Sequence, residues 1–459
     1  MIAHPIGSTA RPLSVAVIGS GPAGFYTVEA LLKRTDLAVQ VDLFERLPAP
    51  YGLVRYGVAP DHQKIKSVTV AYDRLAADPR VRFLGNVHVG QGDLSVEELA
   101  QLYDQIVFAV GCGTDQHLKI PGEELAGSDA ATSFVAWYNG HPDFVGHHVD
   151  LDTDRAVVIG VGDVSMDLTR MLLQDVGDLS KTDVTDYALE TFRKSRVREV
   201  VVLGRRGPAQ AAFATKELED IANLPGLAVS VDARQVQADL ESGEALDGLV
   251  KRKLEYLGKL AREDGAGAPK RMILRFLASP VRLLGEGGRV HGIEIEHNEI
   301  VTGANGKPAA RGTGRFETIS TGLVLRAVGY RGVAIPGLPF DERLGIVPNG
   351  EGRVLRDSQP WPGVFVAGWI KRGPSGVIGT NKSDAAATVQ RMLEDISGHV
   401  APAKGSRAAV DALLRDRGVR VITWADWKRL DVMERERGRE RGKVRDKLTR
   451  MDEVLTALG

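Results

Sequence analysis

Ser14-Val15-Ala16-Val17-Ile18-Gly19-Ser20-Gly21-Pro22-Ala23-Gly24 is the stretch that decides the fold of this 459-residue chain. Its apolar, β-branched start reads as a buried parallel strand, and the strand stops at a Gly-x-Gly-x-x-Gly turn. The spacing then predicts a helix over 25–33. Gly19 permits the tight turn, Gly21 lets the backbone approach a pyrophosphate, and Gly24 lets helix and strand pack closely. With Ser20, Pro22 and Ala23 these glycines form an anion cradle at the positive end of the helix. A second strand over 38–44 ends in Glu45, 21 residues beyond Gly24. A carboxylate there accepts hydrogen bonds from an adenosine ribose. A glycine turn alone is a weak sign; strand, turn, helix, strand and acid in that order are a strong one.

The pattern returns at Arg155-Ala156-Val157-Val158-Ile159-Gly160-Val161-Gly162-Asp163-Val164-Ser165, about 140 residues later. Ser165 replaces the third glycine and is small enough for the same close packing. The next strand, 199–204, leads to Arg205 and Arg206 where the first unit has an acid. Guanidinium groups suit a 2′-phosphate that a carboxylate would repel, so the second unit is read as binding NADP(H) rather than NAD(H). Two such units predict an α/β protein with two Rossmann-like domains.

Composition narrows the class. The chain is 43% hydrophobic and 26% charged, with a formal net charge of −1, which argues against a nucleic-acid binder. Cys112 is the only cysteine, which excludes an internal disulfide, a Cys-x-x-Cys redox pair and an iron–sulfur cluster held by this chain. No apolar run is long enough to span a bilayer, and residues 1–11 lack an apolar segment of secretory length, so a cytoplasmic location is expected.

Between the units the chain reads as a loop over 46–62, apolar and aromatic enough to cover a flat ligand. A helix over 64–77 and a strand over 81–89 follow. Strands ending in Gly111 and Gly329 read as the two crossings between domains. A polar stretch spans 175–198, a basic amphipathic helix 251–263, and an antiparallel meander 270–325. At 363–381 a strand runs into Gly368, Trp369 and a glycine-rich loop feeding a helix from about 382 to 396. The segment 401–459 carries fifteen Lys/Arg against ten Asp/Glu. Its alternating Arg435, Arg437, Arg439, Arg441, Lys443 and Arg445 read as a solvated face, with Trp424 and Trp427 docking part of it on the body.

These residues carry a resemblance. Gly19–Gly24, the run Tyr51-Gly52-Leu53-Val54-Arg55-Tyr56-Gly57-Val58-Ala59-Pro60-Asp61-His62, Gly160–Asp167, Gly204–Pro208, Lys216–Leu218, Gly368 and Gly376–Asn381 resemble the adrenodoxin-reductase-like branch of ferredoxin–NADP reductases, including its bacterial members, over nearly the whole chain. The resemblance implies an NADP domain (114–329) inserted into a discontinuous FAD domain (1–113 and 330–400), with a C-terminal extension (401–459). It implies FAD on the first turn, with Glu45, Arg46, Leu53 and Val89, and with Gly368, Trp369, Gly376, Val377 and Ile378 toward the flavin end. NADPH would lie on Gly160, Val161, Gly162, Asp163, Val164, Arg205, Arg206 and Glu217. His62 matches the family histidine beside the flavin, with Glu217 and Asp220 as acids that position the nicotinamide or relay protons. Asp163 stands where the family usually has Asn, and Tyr51 and Tyr56 stand where relatives vary.

The activity so implied carries electrons from NADPH through FAD to a ferredoxin-type iron–sulfur protein. An acidic ferredoxin would be steered by a basic patch, either Arg193, Lys194, Arg196 and Arg198 or Lys251, Arg252 and Lys253. The sequence leaves the oligomeric state open. A thioredoxin-reductase-like enzyme would need a second cysteine. A flavin monooxygenase would consume oxygen with a substrate, and a nucleotide-sensing module would bind NADPH without its flavin bleaching.

Overall fold

The computed structural model describes residues 4–90, 92–242, 246–263, 265–303 and 306–459. Residues 1–3 of the expected FAD domain and 304–305 of the expected meander lie outside these. The first sheet has seven strands, in the spatial order Asn349–Gly350, Arg353–Arg356, Gln359–Val366, Gln105–Phe108, Leu13–Ile18, Val39–Phe44, Val81–Leu84. From Gln359–Val366 onward the pairs are parallel. The glycine-turn strand lies at the centre, where its β-branched side chains are covered on both faces, as its unbroken apolar run requires. Ile18 pairs with both Phe44 and Phe108, so the turn, Glu45 and Ala109 meet at one carboxyl edge of the sheet. Ligands of doubly wound sheets bind at that edge.

The second sheet has six strands, in the order Ser128–Ala130, Leu323–Arg326, Arg155–Ile159, Glu199–Leu203, Lys270–Arg275, Leu227–Val231. All its pairs are parallel. The expected meander is therefore shorter, comprising Ala278–Glu286, Arg289–Thr302 and Pro308–Ser320. Lys270–Arg275 and Leu323–Arg326 belong to the main sheet, because an alternating strand looks alike in either direction and only its partner decides. The two crossings pair with each other: Thr114–Asp115 and Tyr330–Arg331 make one antiparallel ribbon between the sheets.

Several local expectations shift. The first helix begins earlier, at Pro22, whose ring suits the first helical turn. The loop over 46–62 contains a single helical turn, Leu53–Tyr56. The helix expected over 64–77 is broken into Gln63–Lys66 and Thr69–Ala76. The strand expected to reach Val89 stops at Leu84, two residues before Asn86 turns to φ +59°. The polar stretch over 175–198 holds the helices Val176–Leu179 and Asp186–Arg193, whose Leu179, Ala188, Leu189 and Phe192 are buried.

Residues 401–459 dock along their length rather than in part. Helices Arg407–Asp416, Trp424–Glu440 and Met451–Leu458 bury Val410, Leu414, Trp427, Leu430, Val454 and Leu458 against the first unit. The charged run is only partly a solvated face. Arg435 and Arg439 are exposed, whereas Lys443 is buried and Arg445 pairs with buried Glu434 at 2.6 Å. Glu434 also receives a two-pronged bond from Arg55, at 2.6 and 2.9 Å. The tail thereby grips the Tyr51–His62 segment. No helix of the described residues is long and apolar enough to cross a membrane.

Candidate active site

At the first turn the fit is set by backbone. A Cβ on Gly24 would lie 1.9 Å from the Gly19 carbonyl oxygen, and one on Gly19 (φ +100°) would lie 2.7 Å from that of Ala109. No side chain caps the helix Pro22–Leu32, so its first N–H groups remain available to an anion. Glu45 folds toward this turn, its carboxylate accepting from the Ser20 N–H (3.1 Å), the Ser20 hydroxyl (2.7 Å) and the Leu47 N–H (3.0 Å). Gly52 crosses above Gly21 so closely that a Cβ would stand 3.1 Å from the Gly21 Cα, which brings half-buried Leu53 to the cradle.

The returning strand closes the other side. Gly368 abuts Ala23, where a Cβ would meet the Ala23 Cβ at 2.5 Å, and the Asp384 carboxylate accepts the Gly368 N–H at 2.6 Å. The helix Thr380–Ile396 packs along Pro22–Leu32, and its N-terminus also lacks a side-chain cap. Trp369 is half-buried, its indole N–H donating to the Ser375 carbonyl (3.2 Å) and its ring 5.3 Å from that of Tyr330 on the ribbon. Gly376 and Val377 are exposed and Ile378 half-buried. Burial pushes the Cys112 thiol up to about 12, which leaves it a neutral packing residue.

Val89 is buried in an apolar cluster with Leu94 and Leu99. Arg46 is half-exposed and paired with Asp143 of the second unit at 2.7 Å.

The second turn repeats the geometry. A Cβ on Gly160 (φ +127°) would lie 2.3 Å from the Ala327 carbonyl oxygen, while Gly162 faces open space. The Val161 carbonyl accepts the Ala212 and Phe213 N–H groups, and the exposed Asp163 carboxylate is turned aside to accept the Ala214 N–H at 2.8 Å. Arg205 and Arg206 follow the neighbouring strand. Their carbonyls are held by the Asn298 amide (2.8 Å) and the Leu277 N–H (3.1 Å). Neither guanidinium has a hydrogen-bond or ion-pair partner among the described residues. Two cations fixed by their backbone and left uncompensated are suited to an anion from outside.

Between the turns lies His62. Its Nδ1 is 3.8 Å from Asp167 and its Nε2 3.7 Å from Glu217, with the imidazole 17% exposed. Burial raises the pKa of Glu217 and of Asp167, against the pull of His62 and Arg170. His62, Asp167 and Glu217 place candidate ligand atoms within 4.8 Å of one another. Arg170 already bonds both carboxylates, which draws the three groups into one ion-pair network. Asp220 is turned away, paired with Lys216 one helical turn back.

Asp61, Asp167 and Arg170 escape sequence reasoning. Asp167 and Arg170 look like an ordinary i, i+3 surface pair on a helix, and nothing local says that this face turns inward. The basic patches are also thinned. Lys194 pairs with Glu190, and Arg196 with Asp152 and Asp154. Lys253 is buried, lying 5.4 Å over the Phe213 ring. Lys251 and Arg252 face outward, Arg252 3.8 Å from Glu219.

Comparison with known proteins agrees with this plan. The profile of the family described as pyridine nucleotide-disulphide oxidoreductase matches residues 13–233. The chain is 43% identical to the NADPH-ferredoxin reductase FprA of Mycobacterium leprae, covering 96% of this chain and 97% of that one. It is 40% identical to the mitochondrial NADPH:adrenodoxin oxidoreductase of Arabidopsis thaliana, covering 98% and 96%. The solved structure of Mycobacterium tuberculosis FprA in complex with NADPH superposes with a TM-score of 0.93 at 42% identity, covering 98% of this chain and all of that one.

Proposed function

The chain belongs to the family of NADPH-ferredoxin and NADPH:adrenodoxin reductases, and we propose that its two glycine turns hold FAD and NADPH on either side of His62. It is an FAD-dependent oxidoreductase that passes electrons from NADPH to an iron–sulfur protein. The carrying observation is the contrast between the two second-strand ends: Glu45 bonded to its own turn, and Arg205 with Arg206 left without partners. The uncapped helix and the glycines of the first turn fit the pyrophosphate of FAD, with Glu45 on the ribose and Gly52–Leu53 closing over it. When bound, FAD supplies a centre that accepts a hydride and releases electrons singly.

The residues of this chain bind, orient and exclude water. Arg205 and Arg206 select the 2′-phosphate. Gly160–Val164 receives the second pyrophosphate, and Asp163, tied to the Ala214 N–H, keeps its charge turned from that anion. The His62 ring lies between Asp167 and Glu217, with Glu217 rather than Asp220 as its acid partner. His62→Ala is expected to slow anaerobic flavin reduction by NADPH roughly 10- to 100-fold with FAD content intact. An unchanged rate in stopped-flow absorbance would remove His62 from the mechanism.

The iron–sulfur partner is proposed to be an acidic ferredoxin docking near Lys251 and Arg252, the basic pair that remains outward on the helix Gly248–Leu260. Reversing both to Glu should cut ferredoxin reduction about tenfold at low salt while dye reduction stays constant. Equal loss in both assays refutes the patch.

One titration tests the function as a whole. NADPH should bleach the bound flavin without oxygen, NADH should do so far more weakly, and cytochrome reduction should require added ferredoxin. Stoichiometric oxygen consumption with an organic substrate would instead mark a monooxygenase, and absence of bleaching a sensor.

A further inference from the structure

We propose that Arg170 is the positioning residue of this site, a fixed internal cation that holds Asp61, Asp167 and Glu217 in register around His62. This deepens the reading of His62 and Glu217 given above and rests on it. Arg170 is 3% exposed, on the helix Asp163–Leu173 that begins at the second glycine turn. Its Nε donates to Asp61 at 2.7 Å, one terminal nitrogen to Asp61 (3.1 Å) and Asp167 (2.5 Å), and the other to Glu217 at 3.1 Å. The three carboxylates come from three separate elements: Asp61 from the segment beside His62, Asp167 from Arg170's own helix, and Glu217 from the helix Thr215–Ala222. One guanidinium thus pins the FAD-side segment, the NADP-side helix and the acid of the third element to a common point.

The geometry needs arginine. Three carboxylates in different directions call for a planar fork with several fixed donors, which a single ammonium cannot supply. The charge matters equally. Asp61, Asp167 and Glu217 are half-buried or deeper, and without a cation between them their repulsion would favour protonation. Burial would raise the pKa of Asp61, but the fork on Arg170 outweighs it and keeps the carboxyl below its ordinary value. For Asp167 and Glu217 burial prevails, with Arg170 limiting the rise. The other titratable groups facing this point are His62 itself, Asp163 at the start of Arg170's own helix, which raises the Glu217 pKa, Tyr138 of the helix Ala131–Asn139, and Tyr330 of the ribbon. Among the described residues the Tyr138 hydroxyl has no hydrogen-bond partner, and burial pushes its pKa up, so it stays neutral.

The test is the pH profile of NADPH-dependent flavin reduction in the FAD-loaded enzyme. Arg170→Gln removes the cation, so Glu217 and Asp167 stay protonated to higher pH. The acid limb of the profile should move up by about one pH unit. The limiting rate should fall roughly 10- to 100-fold through lost orientation, while the NADPH dissociation constant changes less than about threefold. Arg170→Lys keeps the charge and loses the fork: the acid limb should return to its wild-type position with the rate still reduced. A wild-type limb and rate in Arg170→Gln overturns the inference. Should that variant fail to retain FAD, a shifted limb or a wild-type rate in Arg170→Lys overturns it instead. Failure of the wild-type flavin to bleach with NADPH sinks the functional reading and leaves the two outcomes distinct.

Discussion

Asp183→Ala is expected to lower the free energy of unfolding by about 3–5 kcal/mol, seen as a fall in the urea midpoint. Asp183 is buried at the edge of the second unit, between the helices Val176–Leu179 and Asp186–Arg193. Lys66 of the first unit donates to both its oxygens at 2.8 Å, and Lys447 of the C-terminal segment lies 3.1 Å away. Both lysines are themselves buried, and Lys447 also donates to the Asn139 carbonyl at 2.9 Å. Burial pushes both ammonium pKa values down, and the Asp183 carboxylate pulls them back up. Its removal leaves two buried ammonium groups without their carboxylate. Replacing all three together, as Asp183→Leu with Lys66→Met and Lys447→Met, should recover most of the loss, because buried ion pairs add little over apolar packing.

The same triad has a pH signature. Burial opposes ionisation of Asp183, but Lys447 and Lys66 outweigh it and hold its pKa below the carboxylate range. A depressed folded pKa means that the stabilisation is complete above the unfolded value, about 4, and is lost as pH falls below it. Acid unfolding should therefore begin near pH 4 in the wild type and flatten in the apolar triple variant. A single-variant midpoint equal to wild type would show that the triad does not hold the segments together.

The second large effect concerns nucleotide choice. Arg205→Ala with Arg206→Ala should reduce kcat/KM for NADPH roughly 10²- to 10³-fold, since charge-assisted bonds contribute about 1.5–3 kcal/mol each and Arg205 is exposed. Turnover with NADH, which has no 2′-phosphate, should stay within about twofold. Because neither guanidinium supports another described side chain, the urea midpoint should not move. An equal loss with both nucleotides would mean that the arginines hold the loop rather than the phosphate.

The geometry of the two glycine turns was legible in the chain. Gly19, Gly24 and Gly160 are demanded by contacts with carbonyl oxygens at 1.9–2.7 Å, and that demand is local enough to appear as a motif. Glu45 and Arg205–Arg206 are marked by their place at strand ends. Lys251-Arg252-Lys253 shows where legibility stops. Three consecutive cations look alike in sequence, yet the helix phase sends Lys253 inward over the Phe213 ring and leaves the other two outside. Asp220 and Glu217 differ in the same way, one facing Lys216 and the other His62.

By itself, then, the sequence determined the two glycine turns, the carboxylate that ends one second strand and the arginine pair that ends the other. Those features depend on steric and charge requirements within a few neighbouring residues. Tertiary structure alone decided that Arg170 gathers Asp61, Asp167 and Glu217 around His62, and that Asp183 joins Lys66 to Lys447. The reason is physical. A buried charge is tolerable only where partners from distant segments arrive together, and a residue's own neighbours carry no record of that meeting.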